Sequence, residues 1–177
     1  MNTLHVVKYS GHFGFIKPFT AVRDELTFSQ QFLTPSMIEG IKRHLEVSSI
    51  ERHKISCEGM TIQQETIQAI GVDEKTKIRK TGIIKLGLLI NPWLHLAFEN
   101  ESDANLAYQK HVCLTRNEYI LHPEIIFKCS SDEFDSIVGI ELVFNKKLKN
   151  SILVGYNRFD SAKPMYGQIK IQEGFIR

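Results

Sequence analysis

Lys110 and His111 are adjacent, Tyr108 lies two positions before Lys110, and His44 and Glu46 sit close together elsewhere in the chain. These residue types can carry metal-free proton transfer around a phosphodiester. RNA cleavage of that kind uses the RNA's own 2′-hydroxyl as nucleophile. It needs a base for that proton, a cation beside the charged phosphorane and an acid for the leaving 5′ oxygen. Histidine suits the proton steps because its ordinary pKa is about 6.5, and lysine supplies fixed charge. Adjacent helical residues point about 100° apart, so Lys110 and His111 reach one phosphate only from a helix terminus or through the long lysine arm. His44 and Tyr108 are the further candidate proton carriers. The plainer alternative is a solvated Lys110, a hydrogen-bonded His111, and core or rim packing for His44 and Tyr108.

Binding has broader support than cutting. Lys75, Lys77, Arg79, Lys80 and Lys85 form one basic group, Lys146, Lys147 and Lys149 a second, and Arg23, Lys42 and Arg43 a third near the first helix. Phosphates bind such groups without sequence preference and with strong salt dependence. Phe13, Phe15, Phe19, Phe28 or Tyr156 can stack on unpaired bases nearby. The alternative is that each basic run is a solvated loop and most of the phenylalanines are core.

These residues need a frame. Leu4–Tyr9 is rich in β-branched residues and reads as a strand. Thr34 is placed to cap a helix over Pro35–Val47, with Pro35 at the first helical position, where no backbone N–H is needed. Met37, Ile38, Ile41 and Leu45 form its apolar face. Gly40 inside that helix costs roughly 1 kcal/mol against Ala, which points to close approach of another chain or a nucleic acid. Ile50–Ser56 reads as a strand, Met60–Ile70 as either strand or helix, and Asp73–Lys80 as a charged turn. Ile83–Phe98 reads as one long strand or two split at Asn91-Pro92. Ser102 or Asp103 can cap a helix reaching about Thr115. Tyr119–Phe127 and Ile137–Phe144 are strands, and Ile152–Tyr156 with Gln168–Ile171 makes a closing hairpin. The order is β-α-β-β-α-β plus further strands: an α+β, ferredoxin-like unit over 1–128, with a C-terminal antiparallel β extension over 129–177.

The chain has 177 residues, 22 basic against 20 acidic, and a net charge of +2. That balance does not itself demand nucleic acid, so an RNA-binding protein of this composition must concentrate positive charge on one face. Three widely spaced cysteines, Cys57, Cys113 and Cys129, with no C-x-x-C pair, predict buried reduced thiols rather than disulfides or a zinc site. Together with the lack of a signal-peptide layout or a membrane-length apolar run, they predict a cytoplasmic location. No cofactor is expected: Gly11-x-x-Gly14 is neither a dinucleotide fingerprint nor a phosphate loop. The seven histidines lack metal-ligand spacing.

Gly11, Phe15, Lys17-Pro18, Leu26-Thr-Phe28, Thr34-Pro35-Ser36 and Gly40-Ile41, in that order, resemble the fifth Cas protein family of class 1 CRISPR effector complexes. That family belongs to the RAMP superfamily, and the subtype I-C form is the most similar. The resemblance implies a ferredoxin-like RAMP fold that grips the 5′ repeat-derived handle of the crRNA. It implies contacts with the backbone and large subunits of the effector complex. The subtype I-C form further implies metal-free endoribonuclease cleavage of precursor crRNA, with Lys110 and His111 at the family's Lys-His pair on a helix. Three departures stand out. The chain is shorter than typical members. Glu46 stands where the subtype I-C enzymes place a catalytic Tyr. Leu121-His-Pro-Glu124 replaces a Gly- and Arg-rich loop. Two rivals follow: a catalytically silent RNA-binding scaffold, or an unrelated ferredoxin-like domain that binds a protein or small ligand.

Overall fold

Alternation along β1 (Thr3–Ser10) puts Val7 and Tyr9 on one face and Leu4 and Val6 on the other, and all four are buried. A strand apolar on both faces belongs in the middle of a covered sheet. In the computed structural model, which describes residues 3–18, 26–67, 71–78, 82–145, 149–157 and 161–172, β1 takes that place. The chain continues through β2 (Phe13–Gly14), β3 (Leu26–Phe28), α1 (Pro35–Leu45), β4 (Arg52–Ser56), β5 (Gly59–Ile67), β6 (Gly82–Ile90) and β7 (Trp93–Phe98). It closes with α2 (Glu101–Tyr108), β8 (Val112–Cys113), β9 (Ile120–Ser130), α3 (Ser131–Ser136), β10 (Gly139–Asn145), β11 (Ile152–Asn157) and β12 (Lys163–Gln172).

The large sheet runs β11-β12-β10-β4-β7-β1-β9-β8. Its centre, β4-β7-β1-β9, is antiparallel at each pairing and, with α1 after β1 and α2 after β7, forms the expected β-α-β-β-α-β ferredoxin-like unit. Ile38, Ile41 and Leu45 of α1 and Ala104 and Ala107 of α2 share one buried cluster with Val7, Tyr9, Leu94, Leu96 and Phe98 of the sheet. On the reverse face, Phe134 of α3 covers Leu4, Val6, Ala97 and Cys129. β10, β12 and β11 continue the same sheet beyond β4. A second, smaller sheet is built on β6, which pairs with β2, β3 and β5.

Several local expectations hold. Pro35 opens α1, and the apolar run of residues 83–98 splits at Asn91-Pro92, where Asn91 takes φ 44. Residues 59–67 resolve as strand, paired along their length with β6. The cysteines are free, Cys57 and Cys129 buried and Cys113 half-buried, and burial raises all three thiol pKa values. Among the described residues, no helix is long and apolar enough to cross a membrane.

Others need correction. The Thr34 hydroxyl makes no capping bond; the residue is buried, and its carbonyl accepts from Met37 and Ile38 N–H at 3.0 Å. α2 starts after Asn100, not after Ser102 or Asp103. The Asp103 carboxylate instead accepts from the Ser48 N–H at 3.2 Å and from the Ser48 hydroxyl. α2 also ends at Tyr108, well before Thr115. The reason is a change of period: Val112 and Leu114 are buried while His111 and Thr115 are exposed, so residues 111–115 alternate, and Val112–Cys113 pairs with β9.

Candidate nucleic-acid interface

The turn after α2 is fixed from below. Tyr9 Oη donates to the Ala107 carbonyl at 2.6 Å, and the Lys110 N–H donates to the same carbonyl at 3.2 Å. Lys110 and His111 therefore leave a helix end rather than project from its side, the geometry needed for two neighbours to reach one phosphate. α1 ends opposite them with Glu46 in the left-handed conformation, φ 59. Lys110 Nζ pairs with Glu46 Oε2 at 2.6 Å and lies 3.4 Å from the His44 carbonyl. The hydrogen bond and charge of Lys110 hold the Glu46 carboxyl below its ordinary pKa. His44 Nε2 donates to the His111 carbonyl at 2.9 Å, which leaves Nδ1 as the acceptor nitrogen when the ring is neutral. The His44 and His111 rings meet edge to face at 5.4 Å, and His122 stands 6.4 Å beyond His111. Tyr108, the last residue of α2, points elsewhere, with its hydroxyl 3.5 Å from the Glu124 carbonyl.

Three of the four candidate catalytic residues, His44, Lys110 and His111, thus come together, although 66 residues separate His44 from Lys110. The pairing of Lys110 with Glu46 offsets its charge, so the fixed cation expected beside a phosphorane is partly neutralised here.

A cleft of ≈ 680 Å³ opens beside this cluster. Ile16, Lys17 and Pro18 of the N-terminal bend form one wall, and Met37, Gly40, Ile41 and His44 of α1 another. His111–Thr115 closes it. The bend is held by Gln30 N–H on the Ile16 carbonyl at 2.8 Å and by Lys17 N–H on Thr115 Oγ1 at 3.0 Å. A second cleft of ≈ 770 Å³ lies on the other side of α1, between Ser36, Glu39, Gly40 and Arg43 and the hairpin residues Asn157 of β11 and Met165 of β12. Gly40 lines both. A Cβ built on it would touch nothing within 4 Å, whereas one on Gly11 would lie 2.5 Å from the Ile120 carbonyl oxygen. Gly11 is therefore required by the protein's own packing. Gly40 is not, and it leaves the backbone of α1 bare where it lines both clefts.

The described members of the expected basic groups are spread over several elements. Lys42 and Arg43 on α1 both pair with Glu39, at 3.8 and 2.9 Å. Lys75 and Lys77 are exposed in the turn beyond the far end of β5–β6. Nine residue pairs separate that end from Gly59, a span of about 30 Å. Lys85 is exposed on β6, and Lys149 is exposed ahead of β11. Arg23, Arg79, Lys80, Lys146, Lys147 and Phe19 lie outside the described residues. Of the candidate stacking rings, Phe13, Phe28 and Tyr156 are exposed, but Phe15 is buried, packed 6.3 Å from the Tyr119 ring. Lys17, on the wall of the first cleft, is absent from the basic groups singled out in the sequence, although Lys17-Pro18 belongs to the motif.

The fold is thus a mixed α+β one, mostly antiparallel sheet with few helices, of the ferredoxin-like kind. Comparison with solved structures finds a chain from a "CRISPR RNA-guided surveillance complex" at a TM-score of 0.55 and 9% sequence identity, covering 98% of this chain and 92% of that one. No protein-family model and no curated protein matches the sequence. Among the described residues no group of three or more His, Cys, Asp or Glu side chains is placed to hold a metal ion.

Proposed function

We propose that the chain is a subunit of a type I CRISPR effector complex that binds the 5′ repeat-derived handle of the crRNA, with the backbone and large Cas subunits as its protein partners. The observation that carries this reading is the bare backbone at Gly40, where a helix glycine with no packing duty of its own lines two clefts. A single strand crossing α1 there would meet Lys17 and His111 on one side and Arg43 on the other. Its sugar-phosphate backbone can approach the helix more closely than any side chain would allow. The likeness in fold to a chain of an RNA-guided complex supports the same reading.

The direct experiment is binding of labelled repeat-derived RNA by the purified protein, with an unrelated RNA of equal length as comparator. Preference for the repeat RNA supports the proposal. Equal, purely salt-governed binding of both favours the ligand-binding rival.

A second reading, metal-free cleavage of precursor crRNA, is favoured by the contact of His44 with His111 at the rim of the first cleft. His44 would act as base through Nδ1, His111 as acid, and Lys110 would steady the phosphorane despite its pairing with Glu46. Incubation of labelled repeat RNA in EDTA decides it. Absence of product from about pH 6 to 9, a window spanning the ordinary histidine range, leaves the chain a silent scaffold.

A further inference from the structure

A third cleft, of ≈ 670 Å³, opens where β1 turns into the N-terminal bend. Phe13, 45% exposed, and the half-buried Trp93 line it, and Glu58, Asn91, Glu118, His12 and His122 are among its polar lining. It adjoins the first cleft through His122, whose ring stands 6.4 Å from that of His111. Its frame is fixed by backbone bonds: Gly11 N–H to the Pro92 carbonyl at 3.2 Å, Asn91 N–H to the His12 carbonyl at 2.9 Å and Glu58 N–H to the Ile90 carbonyl at 3.0 Å. Asn91 Nδ2 donates to Glu58 Oε2 at 2.7 Å, so the amide is oriented with its oxygen outward from that bond. Glu58 then keeps Oε1 and a second lone pair on Oε2 as two adjacent acceptors among the residues lining the cleft, with Asn91 Oδ1 as a further one.

Two carboxylates repel a phosphate, so the part of a nucleotide this cleft suits is the base. Aromatic faces stack on any base. A pair of adjacent acceptors matches two adjacent donors, and among the four RNA bases only guanine carries these, at N1–H and N2–H₂. Cytosine and adenine each offer a single amino group to such a pair. We propose that this cleft takes an unpaired guanine, stacked on Phe13 and Trp93 and held on its Watson–Crick edge by Glu58 and Asn91. The inference rests on the RNA-binding reading and adds a base-specific position to it.

Trp93 is the chain's single tryptophan and reports on the site directly. Short oligouridylate RNAs carrying one guanine, adenine, cytosine or hypoxanthine are titrated with the full chain, read by both anisotropy and tryptophan emission. The single-guanine RNA is expected to bind about tenfold tighter than the others and to change Trp93 emission. Hypoxanthine, which lacks the N2 amino group, is expected to lose most of that advantage. Glu58→Gln is expected to erase the guanine preference. Equal binding of all four RNAs, or unchanged emission on binding, overturns the guanine site and leaves the RNA-binding reading intact. If no RNA binds, that broader reading falls. The cleft is then judged by the free mononucleotides: a Trp93 response to GMP above the other three keeps it, and a flat response to all four removes it.

Discussion

Replacing Gly40 should move stability and RNA affinity in opposite directions. Gly40 lies in the interior of α1, where glycine costs about 0.8–1 kcal/mol against alanine. The space its Cβ would enter is open, with no atom beyond its chain neighbours and the helix's own backbone within 4 Å, so no clash offsets that gain. Gly40→Ala is therefore expected to stabilise the fold by about 0.5–1 kcal/mol, a rise in Tm of roughly 1–4 °C for a chain of this size. Gly40→Leu keeps most of the propensity gain, but its side chain projects from a position that lines both clefts. Its repeat-RNA affinity is expected to fall by about tenfold or more, equivalent to about 1.4 kcal/mol, with Gly40→Ala intermediate. Thermal melts and fluorescence anisotropy on the same samples read both quantities. Loss of stability in Gly40→Ala would show that α1 packs against something at this point. Unchanged affinity in Gly40→Leu would show that RNA does not cross α1 here.

Gly11→Ala should behave oppositely in stability, because its Cβ would sit 2.5 Å from the backbone oxygen of Ile120, which cannot move aside cheaply; a lowered Tm is expected. Burial lowers the pKa of His53 and of His95 to about 4, against an ordinary 6.5 in the unfolded chain. The unfolded state therefore takes up these protons first, and stability falls as pH drops from about 6.5 toward 4, by about 2 kcal/mol per histidine at pH 5. Denaturant titrations at pH 7 and 5 measure the loss, and His95→Leu should shrink it; a loss at pH 5 as large as in the parent chain would refute the assignment. Arg52 bonds the buried Glu141 at 2.5 and 2.9 Å and lies 4.6 Å over the Phe134 ring, so Arg52→Ala should cost about 3 kcal/mol by stranding that carboxylate. Arg43→Ala, which breaks an exposed pair, should cost under about 1 kcal/mol in the same urea titration. Glu46→Gln frees Lys110 and should steepen the salt dependence of RNA binding by about one counterion; an unchanged slope would place Lys110 away from the phosphates.

The parts of the fold legible in the sequence are those governed by local rules. Pro35 marks the start of α1, Asn91-Pro92 the break between β6 and β7, and the strand-helix order the ferredoxin-like core. What misleads is local chemistry with two solutions. Thr34 has a capping hydroxyl, yet burial leaves only its carbonyl engaged in α1. The stretch Lys110–Thr115 reads as helix because alternation over five residues is too short to outweigh the preceding helical pattern. α3 escapes the strand-rich reading of this region although Ser130 and Glu133 form a full capping box, a spacing readable from sequence alone. The meeting of His44 with His111 depends on the return of β9 and β8 to α1, and no short-range signal encodes it. For the basic runs, charge spacing along the chain does not say which face each lysine reaches.

Ultraviolet cross-linking of repeat-derived RNA to the full chain, with the attached peptides identified by mass spectrometry, bears most directly on the binding surface. Cross-links at residues 16–18, 37–44 or 111–117 are the predicted result. Cross-links confined to the α3 face around residues 131–141, or none under conditions where the RNA is bound, would contradict it.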